Sequence, residues 1–313
     1  MSSRHKGCEV LRLLACGVVV SLLVAPKFAA AADGATFNGG QAFDDLRRLV
    51  AFGPRPAGSP ELAAARGWIL RQLRSTRAQV EEDSFRARTP VGVLPMTNIV
   101  AKFPGTRPQV VIISGHYDTK RFSDFRFVGA NDGGSSAALL LELARVLSAR
   151  KNELTYWLVF FDGEESVPRE WSDADSLYGS RHFLQKLISN GELGRVQAMI
   201  LVDMIGDAKL DIHREDNSTP WLADLVFQTA HQMGYGRYFP GDHQTPVEDD
   251  HMPFVNAGVS AVDLIDLDYG PENHRYWHTA DDTLEHCSPL SLTIVGRVVV
   301  ATLGALEKSP RLK

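Results

Sequence analysis

The distribution of apolar residues along the chain predicts strands that alternate with helices. Several short segments are almost continuously apolar, which is typical of strands buried on both faces. Strands are predicted at 98–103, 110–114, 154–161, 196–203 and 259–265, and helices at 43–52, 61–74, 135–147, 176–188, 220–233 and 290–306. This order predicts a single α/β domain, in which helices flank a central, twisted sheet that is mostly parallel or mixed.

Residues 1–32 follow a different pattern. Arg4, Lys6 and Arg12 make the start basic, residues 13–25 are apolar, and a run of four alanines ends at Ala32. This layout is typical of a cleaved signal peptide, and the apolar run is short for a membrane anchor. We therefore predict a signal peptide at 1–32, a folded domain at 33–313, and export to the periplasm or the medium.

Composition and charge narrow the functional classes. The chain of 313 residues is 44% hydrophobic and 23% charged, which is ordinary for a soluble globular protein. Its net charge of −5 is not concentrated in blocks, so nothing indicates nucleic acid or an anionic membrane as a partner. Of three cysteines, only Cys287 lies outside the predicted leader, so the folded domain has no disulfide of its own.

Acidic residues and histidines cluster at the predicted strand ends. The motif GHYDTK follows the second predicted strand, and its His116 and Asp118 share one face of an extended segment. Alone, such a pair is an ordinary loop entry. However, ligands of these sheets lie beyond the carboxyl ends of the strands, where several other segments should meet it. These segments carry Asp132, Glu164, Glu165, Asp203, Asp249, Asp250, His251 and His278.

So many carboxylates at one edge would repel one another unless a cation neutralised them. Imidazole and carboxylate donors without paired cysteines suit a catalytic zinc ion, held by three protein ligands with one open position. Calcium would require more oxygen ligands and no histidine. A site for two metal ions is also compatible with this set of donors.

The motifs HYDTK, GAND, FFDGEES, DSLYGSRHF, LVDMIG, DDHMPF and WHTADD occur in this order. Together they resemble the zinc-dependent glutaminyl-peptide cyclotransferases of the animal type, which share their fold with the di-zinc aminopeptidases. The resemblance runs from about residue 43 to the C-terminus. It implies a zinc-dependent catalytic domain that converts the N-terminal glutamine of peptides and proteins to pyroglutamate and releases ammonia. We expect a monomer.

The resemblance also implies a role for each matching residue. Asp132, Glu165 and His278 would bind a single zinc ion per chain, and Glu164 would shuttle protons. Asp203 and Asp249 would form a hydrogen-bonded acid pair beside the substrate, and Trp277 and Trp171 would form walls of its pocket. His116 and Asp118 match a position that serves the second metal ion of the aminopeptidases, and this ion is absent in the cyclotransferases. His116 and Asp203 could complete such a second metal site or support the first one from outside.

Two other functions remain open on the sequence. A secreted di-zinc aminopeptidase is the main alternative, and the segment GANDGGSSAALLLELA is close to the aminopeptidase version of this loop. Trp277 favours the cyclotransferase, because the aminopeptidases tend to carry tyrosine before this histidine. The segment after GEE is one residue longer than in the cyclotransferases. An inactive zinc-fold binding module is less favoured, since every ligand and Glu164 are present.

Overall fold

The computed structural model describes residues 36–172, 174–241, 244–271 and 274–312. The predicted signal peptide lies outside the described residues. Within these ranges, eight strands are formed: β1 Gln79–Thr89, β2 Gly92–Phe103, β3 Val110–His116, β4 Thr155–Phe161, β5 Val196–Asp203, β6 Arg214–Glu215, β7 Gln244–Thr245 and β8 Ala261–Ile265. The same ranges contain seven α-helices: α1 Gly39–Val50, α2 Pro60–Arg74, α3 Ser136–Ala149, α4 Tyr178–Ser189, α5 Pro220–Gln232, α6 Met252–Asn256 and α7 Pro289–Lys308.

The central sheet is mixed and has six strands in the order β1-β2-β4-β3-β5-β8. Strands β4, β3, β5 and β8 are parallel to one another, whereas β1 and β2 form an antiparallel hairpin at one edge. The short strands β6 and β7 pair separately. The predicted α/β fold with a mixed sheet is confirmed.

Helices cover both faces of this sheet, which explains why its inner strands are mostly apolar up to their carboxyl ends. In β3, Val111 and Ile113 pack into the core under α1, α3 and α7, whereas Val110 and Ile112 point to the opposite face and the α4 side. Side chains alternate between the faces of a strand, so a strand covered on both sides needs apolar residues at every position.

Strand β1 was not predicted from its sequence. Its segment QVEEDSFRART is mostly polar, and most of its side chains are exposed or half-buried. It is a strand because its eleven residues pair in register with β2, from Gln79 opposite Lys102 to Thr89 opposite Gly92. Long-range pairing therefore overrides a weak local preference.

Helix α7 has 20 residues and is strongly apolar. Its length and hydropathy would suffice to cross a membrane, but 56% of the apolar window is buried inside the protein. Gly296 illustrates how tightly it packs, because a Cβ atom there would lie 2.3 Å from the ring of Phe37. These contacts fit a core helix of a globular domain.

Candidate active site

The carboxyl ends of three neighbouring parallel strands form the floor of the site. His116 is the last residue of β3, Asp203 is the last residue of β5, and Glu164 and Glu165 lie in the loop that follows β4. All four are buried. The sequence placed His116 after the strand, whereas the strand continues to include it. Asp118 lies two residues beyond β3, and its carboxylate is 3.4 Å from His116 Nδ1, so the two side chains meet as expected.

Asp132 reaches the site from a kinked turn, Ala130–Ser135, that leads into α3. The backbone at Asp132 is not helical (φ −79°, ψ 106°) and turns at Gly133, where φ is +76°. A Cβ atom on Gly133 would lie 2.4 Å from the carbonyl oxygen of Asp118 and 2.9 Å from the His116 ring. Only glycine allows this turn to approach β3 so closely.

Asp132, Glu165 and His278 form the first group of potential metal ligands, the Glu165 triad. The Nε2 atom of His278 is 3.2 Å from Asp132 Oδ2 and 3.2 Å from Glu165 Oε1. Asp132 Oδ2 is buried and accepts no hydrogen bond within the described part of the chain. Two carboxylates and one imidazole converging on one point are a donor set that fits zinc. These residues therefore fit the predicted ion.

The second group, the Asp203 triad, consists of His116, Asp132 and Asp203. His116 Nε2 lies 3.1 Å from Asp132 Oδ1 and 3.2 Å from Asp203 Oδ1. In each triad, the potential ligand atoms lie within 4.8 Å of one another. Asp132 belongs to both triads, with one oxygen directed to each. This is the arrangement in which a carboxylate can bridge two metal ions, and the geometry is compatible with one ion or two.

Glu164 belongs to neither triad. Its side chain is buried, and its Oε2 atom lies 3.9 Å from His116 Nδ1. Its backbone N–H donates to Asp118 at 3.3 Å. Burial raises the pKa of the Glu164 carboxyl well above its usual value, and the charges of Asp249 and Glu165 raise it further, against the opposing charge of His116. A buried carboxyl that lies beside potential metal ligands without being one of them is available for proton transfer.

Asp203 and Asp249 both line the same cavity. Burial raises the pKa of Asp249 well above its usual value, and the nearby charge of Asp203 adds to this shift. Asp203 Oδ1 accepts a hydrogen bond from Ser136 at 3.3 Å and lies next to His116. Within the described residues, no direct hydrogen bond joins Asp203 to Asp249, so the predicted acid pair stays a prediction.

These residues line a cavity of about 510 Å³, which we call the active-site cavity. Both predicted tryptophans contribute to its wall, and Trp277 and Trp171 are 44% and 39% exposed. The Trp277 ring stacks on the His278 imidazole with a centroid separation of 4.3 Å. Flat, accessible aromatic faces beside the potential ligands are suited to contacting a substrate and displacing water.

The sequence pointed to no role for Lys120, although this residue ends the GHYDTK motif. Its side chain is buried, and Nζ donates to the carbonyl and the hydroxyl of Ser166. Nζ also lies 3.6 Å from Glu165 Oε2, the oxygen of this potential ligand that faces away from His278. Lys120 therefore fixes the orientation of Glu165. A lysine after a strand is normally exposed, so only its burial in the structure shows that Lys120 supports the site.

Asp282, in the WHTADD motif, supports the site although it belongs to neither triad. Its buried carboxylate accepts hydrogen bonds from the backbone N–H groups of Asn131 at 2.7 Å and Asp132 at 3.2 Å. It also accepts a hydrogen bond from the hydroxyl of Tyr269 at 2.8 Å. These bonds fix the turn that carries Asp132. Asp282 is some 150 positions away along the chain, so no local pattern could reveal the contact.

Arg55 supports the same turn from the other side. Its guanidinium is fully buried and donates to the carbonyl groups of Val128 at 2.8 Å and Gly129 at 3.1 Å, as well as to three others. The loop before Asp132 is thus tied to the segment between α1 and α2.

Two further residues of the site, Met204 and His278, have positive φ angles of 50° and 54°. Such backbone conformations are uncommon outside glycine and tend to occur at functional sites.

His251, which follows Asp249 and Asp250 in the same loop, is fully buried and contacts Glu215 Oε2 through Nε2 at 3.2 Å. Glu215 also accepts the backbone N–H groups of Asn217 at 2.7 Å and Val247 at 3.0 Å. The loop that presents Asp249 is therefore anchored to the segment that contains β6. This arrangement agrees with a bracing role for His251.

Known proteins share both the sequence and the fold. Residues 98–303 match Peptidase family M28. A glutaminyl-peptide cyclotransferase from Drosophila melanogaster is 32% identical over 254 residues, which are 73% of this chain and 70% of that protein. The crystal structure of an Acidobacteriales bacterium glutaminyl cyclase superposes with a TM-score of 0.85 and 42% identity, covering 91% of this chain and 99% of its own.

The glutaminyl cyclase of Porphyromonas gingivalis is also similar, with a TM-score of 0.79 and 32% identity over 86% of this chain and 99% of that one. The predicted resemblance to the glutaminyl-peptide cyclotransferases is confirmed, because sequence identities of 32% and 42% extend over 73% and 91% of this chain. The chain belongs to Peptidase family M28 and, within it, to the glutaminyl-peptide cyclotransferases.

Proposed function

We propose that this protein is a zinc-dependent glutaminyl-peptide cyclotransferase that acts on peptides and proteins with N-terminal glutamine. One observation carries the proposal. The Glu165 triad lies in the wall of a cavity that also contains Glu164 and the exposed rings of Trp277 and Trp171. A ligand set, a separate proton-transfer group and flat aromatic walls are the three parts that this reaction requires. The similarity to glutaminyl cyclases favours it over the aminopeptidase alternative.

The reaction closes a ring within the substrate. The α-amino nitrogen forms a bond to the γ-carbon of the glutamine side chain, the bond from that carbon to the amide nitrogen breaks, and ammonia leaves. The attack is intramolecular, so binding the substrate in a folded conformation removes much of the entropic barrier. Trp277 and Trp171 supply flat surfaces that favour this conformation and exclude water.

A proton has to move from the attacking amine to the departing nitrogen. Glu164 takes the proton from the amine and returns it to the leaving group, because both nitrogens belong to the same small ring and one carboxylate can reach them in turn. Asp249 and Asp203 line the cavity beside Glu164 and accept hydrogen bonds from the substrate amine, which orients it for attack.

Asp132, Glu165 and His278 would hold the zinc ion. When bound, zinc would polarise the γ-carbonyl group and stabilise the negative charge that develops on its oxygen. Lys120 and Asp282 keep two of these ligands in place from outside the triad.

We further propose one zinc ion per chain. A hydrolase needs a metal-activated water, for which two bridged ions are one solution, whereas the nucleophile of a cyclase is part of its substrate. In this protein, the Nε2–H group of His116 can donate to both Asp132 and Asp203, at 3.1 and 3.2 Å. The imidazole thus satisfies these two carboxylates without a second ion.

Two peptides distinguish the two enzyme classes. The purified protein is incubated with a glutamine-initiated peptide and a leucine-initiated peptide, and ammonia, free amino acids and peptide masses are measured. We expect ammonia and an unshortened peptide from the first, and no free leucine from the second. Zinc is counted by elemental analysis after dialysis against metal-free buffer. Two retained zinc ions together with leucine release would show that the protein is an aminopeptidase and not a cyclotransferase.

Export is part of the proposal, since residues 1–32 have the layout of a signal peptide. N-terminal sequencing of protein recovered from outside the cytoplasm should give a chain that begins near residue 33. A mature chain that retains Met1 would contradict the proposed processing.

A further inference from the structure

A second cavity adjoins the active-site cavity. Its volume is about 350 Å³, and three of its lining residues, Val247, Ile265 and Leu267, also line the active-site cavity. These three side chains are therefore a shared wall with the active site on one side and the second cavity on the other. The reaction does not use the second cavity, because both reacting groups belong to the first residue of the substrate.

The second cavity adjoins the active-site cavity closely enough for a peptide substrate to reach it. In the proposed reaction the glutamine side chain and the α-amine both face the Glu165 triad, so the α-carbonyl and the rest of the peptide extend away from it. An extended chain advances about 3.3–3.6 Å per residue. The second and third residues of a substrate therefore lie about 3–4 Å and about 7 Å beyond the first, and their side chains extend further, which suffices to cross a wall one side chain thick.

The wall is held rigidly, as a selective surface requires. The backbone N–H of Val247 donates to the buried carboxylate of Glu215 at 3.0 Å, and the Val247 carbonyl accepts from the Asn217 side chain at 3.1 Å. Strands β6 and β7 pair at the base of the same segments. Ile265 is buried at the end of β8.

Asp268 and His213 line the second cavity, and Asp211 lies beside them as the second member of an acidic pair that the fold holds in place. The buried carboxylate of Asp266 accepts the backbone N–H groups of Asp211 at 2.9 Å and Asp268 at 3.1 Å. The Asp211 and Asp268 carboxylates both lie near His213, at 3.3 and 4.0 Å from its Nε2 atom. The side chains of Asp211 and Asp268 are 41% and 64% exposed.

The other charges of the second cavity are matched by neighbours. The Arg214 guanidinium pairs with Asp224 at 2.9 Å. Glu215 accepts from Ser218 at 2.8 Å and contacts His251 at 3.2 Å, in addition to its two backbone donors. Among the described residues, His213 contacts both carboxylates, and His274 also lines the cavity. The carboxylates of Asp268 and Asp211 give this side of the cavity negative charge that a cation from the substrate would neutralise.

We propose that the second cavity binds the second and third residues of the substrate, and that Asp268, with Asp211, makes it favour a basic side chain there. This inference rests on the proposed function and specifies its substrates: peptides in which lysine or arginine closely follows the N-terminal glutamine.

Amidated peptides test the inference in the intact, zinc-loaded protein. Gln-Lys-Ala, Gln-Ala-Lys, Gln-Ala-Ala and Gln-Glu-Ala amides are compared, with glutamine amide as a substrate that cannot reach the second cavity. The values of kcat/KM are measured for the wild type, Asp268→Asn and Asp268→Lys. The matched control is Asp44→Asn on α1, since Asp44 is equally exposed, at 62%, and lines neither cavity.

We expect at least one lysine peptide to exceed Gln-Ala-Ala amide by about two- to five-fold in kcat/KM, the range for an exposed pair of charges. The kcat/KM of Gln-Glu-Ala amide should be lower than that of Gln-Ala-Ala amide. Asp268→Asn should bring these ratios close to one, and Asp268→Lys should invert them, while turnover of glutamine amide stays within about two-fold of the wild type. High salt should weaken the preference, because it screens exposed charges. Asp44→Asn should leave all ratios unchanged.

Two results would overturn the inference. The first is equal kcat/KM for the lysine, alanine and glutamate peptides in the wild type. The second is a lysine preference that persists in Asp268→Lys. In both cases, turnover of glutamine amide would leave the proposed function intact. Failure to release ammonia from any glutamine substrate would instead refute the proposed function and this inference with it.

Discussion

Replacing Glu164 by glutamine tests the separation of proton transfer from metal binding. Glutamine has nearly the same shape, and the backbone N–H that donates to Asp118 at 3.3 Å is unaffected. Glu164 is in neither triad, so the zinc content should stay at the wild-type value. What the variant lacks is the group that moves the proton between the two nitrogens.

The expected magnitude follows from that loss. A positioned general acid–base group contributes about 10²–10⁴-fold, which corresponds to about 2.7–5.4 kcal/mol of the activation barrier. By contrast, a lost polar contact changes the free energy of unfolding by about 0.5–1.5 kcal/mol. At about 2–4 °C per kcal/mol for a domain of comparable size, Tm should shift by no more than about 6 °C. The variant should therefore be folded, zinc-bound and almost inactive.

The neighbouring residue supplies the matched control. Glu165→Gln makes the same chemical change one position further along, but it removes a member of the Glu165 triad. We expect this variant to lose zinc as well as activity. The assay measures ammonia release, zinc content and thermal melting for both variants side by side. A Glu164→Gln protein with near-normal kcat, or one that loses zinc as Glu165→Gln does, would refute the assigned role of Glu164.

Three further substitutions probe the supports of the site. His278→Ala should release zinc and lower Tm, because Asp132 and Glu165, each 3.2 Å from His278 Nε2, would face each other uncompensated; full zinc occupancy by elemental analysis would disprove the ligand role. Lys120→Met should weaken zinc binding by about 10–100-fold, measured by competition with a chelator, because it frees Glu165 to reorient; unchanged affinity would contradict this. Arg55→Met should lower the free energy of unfolding in urea by about 2–6 kcal/mol, because it leaves at least two buried carbonyl groups without a donor, and a loss below about 1 kcal/mol would argue against this support.

The sequence alone determined the main elements of the fold. The predicted strand at 196–203 and helix at 61–74 agree with β5 and α2 within one residue, because a run of apolar residues covered on both faces or a capped periodic segment is a local signal. The chemistry at the strand ends was also accessible. Parallel strands end at one edge, so His116, Asp203 and the Glu164–Glu165 pair had to converge if the sheet formed.

Only the tertiary structure decided which residues support this chemistry and which surfaces the substrate meets. Asp282 holds the Asp132 turn across some 150 positions, and β1 exists only because β2 pairs with it. The second cavity arises where the loops after β5 and β8 are joined through Asp266. Each of these features depends on contacts between segments far apart in sequence, and such contacts leave no periodic or compositional trace in either segment alone.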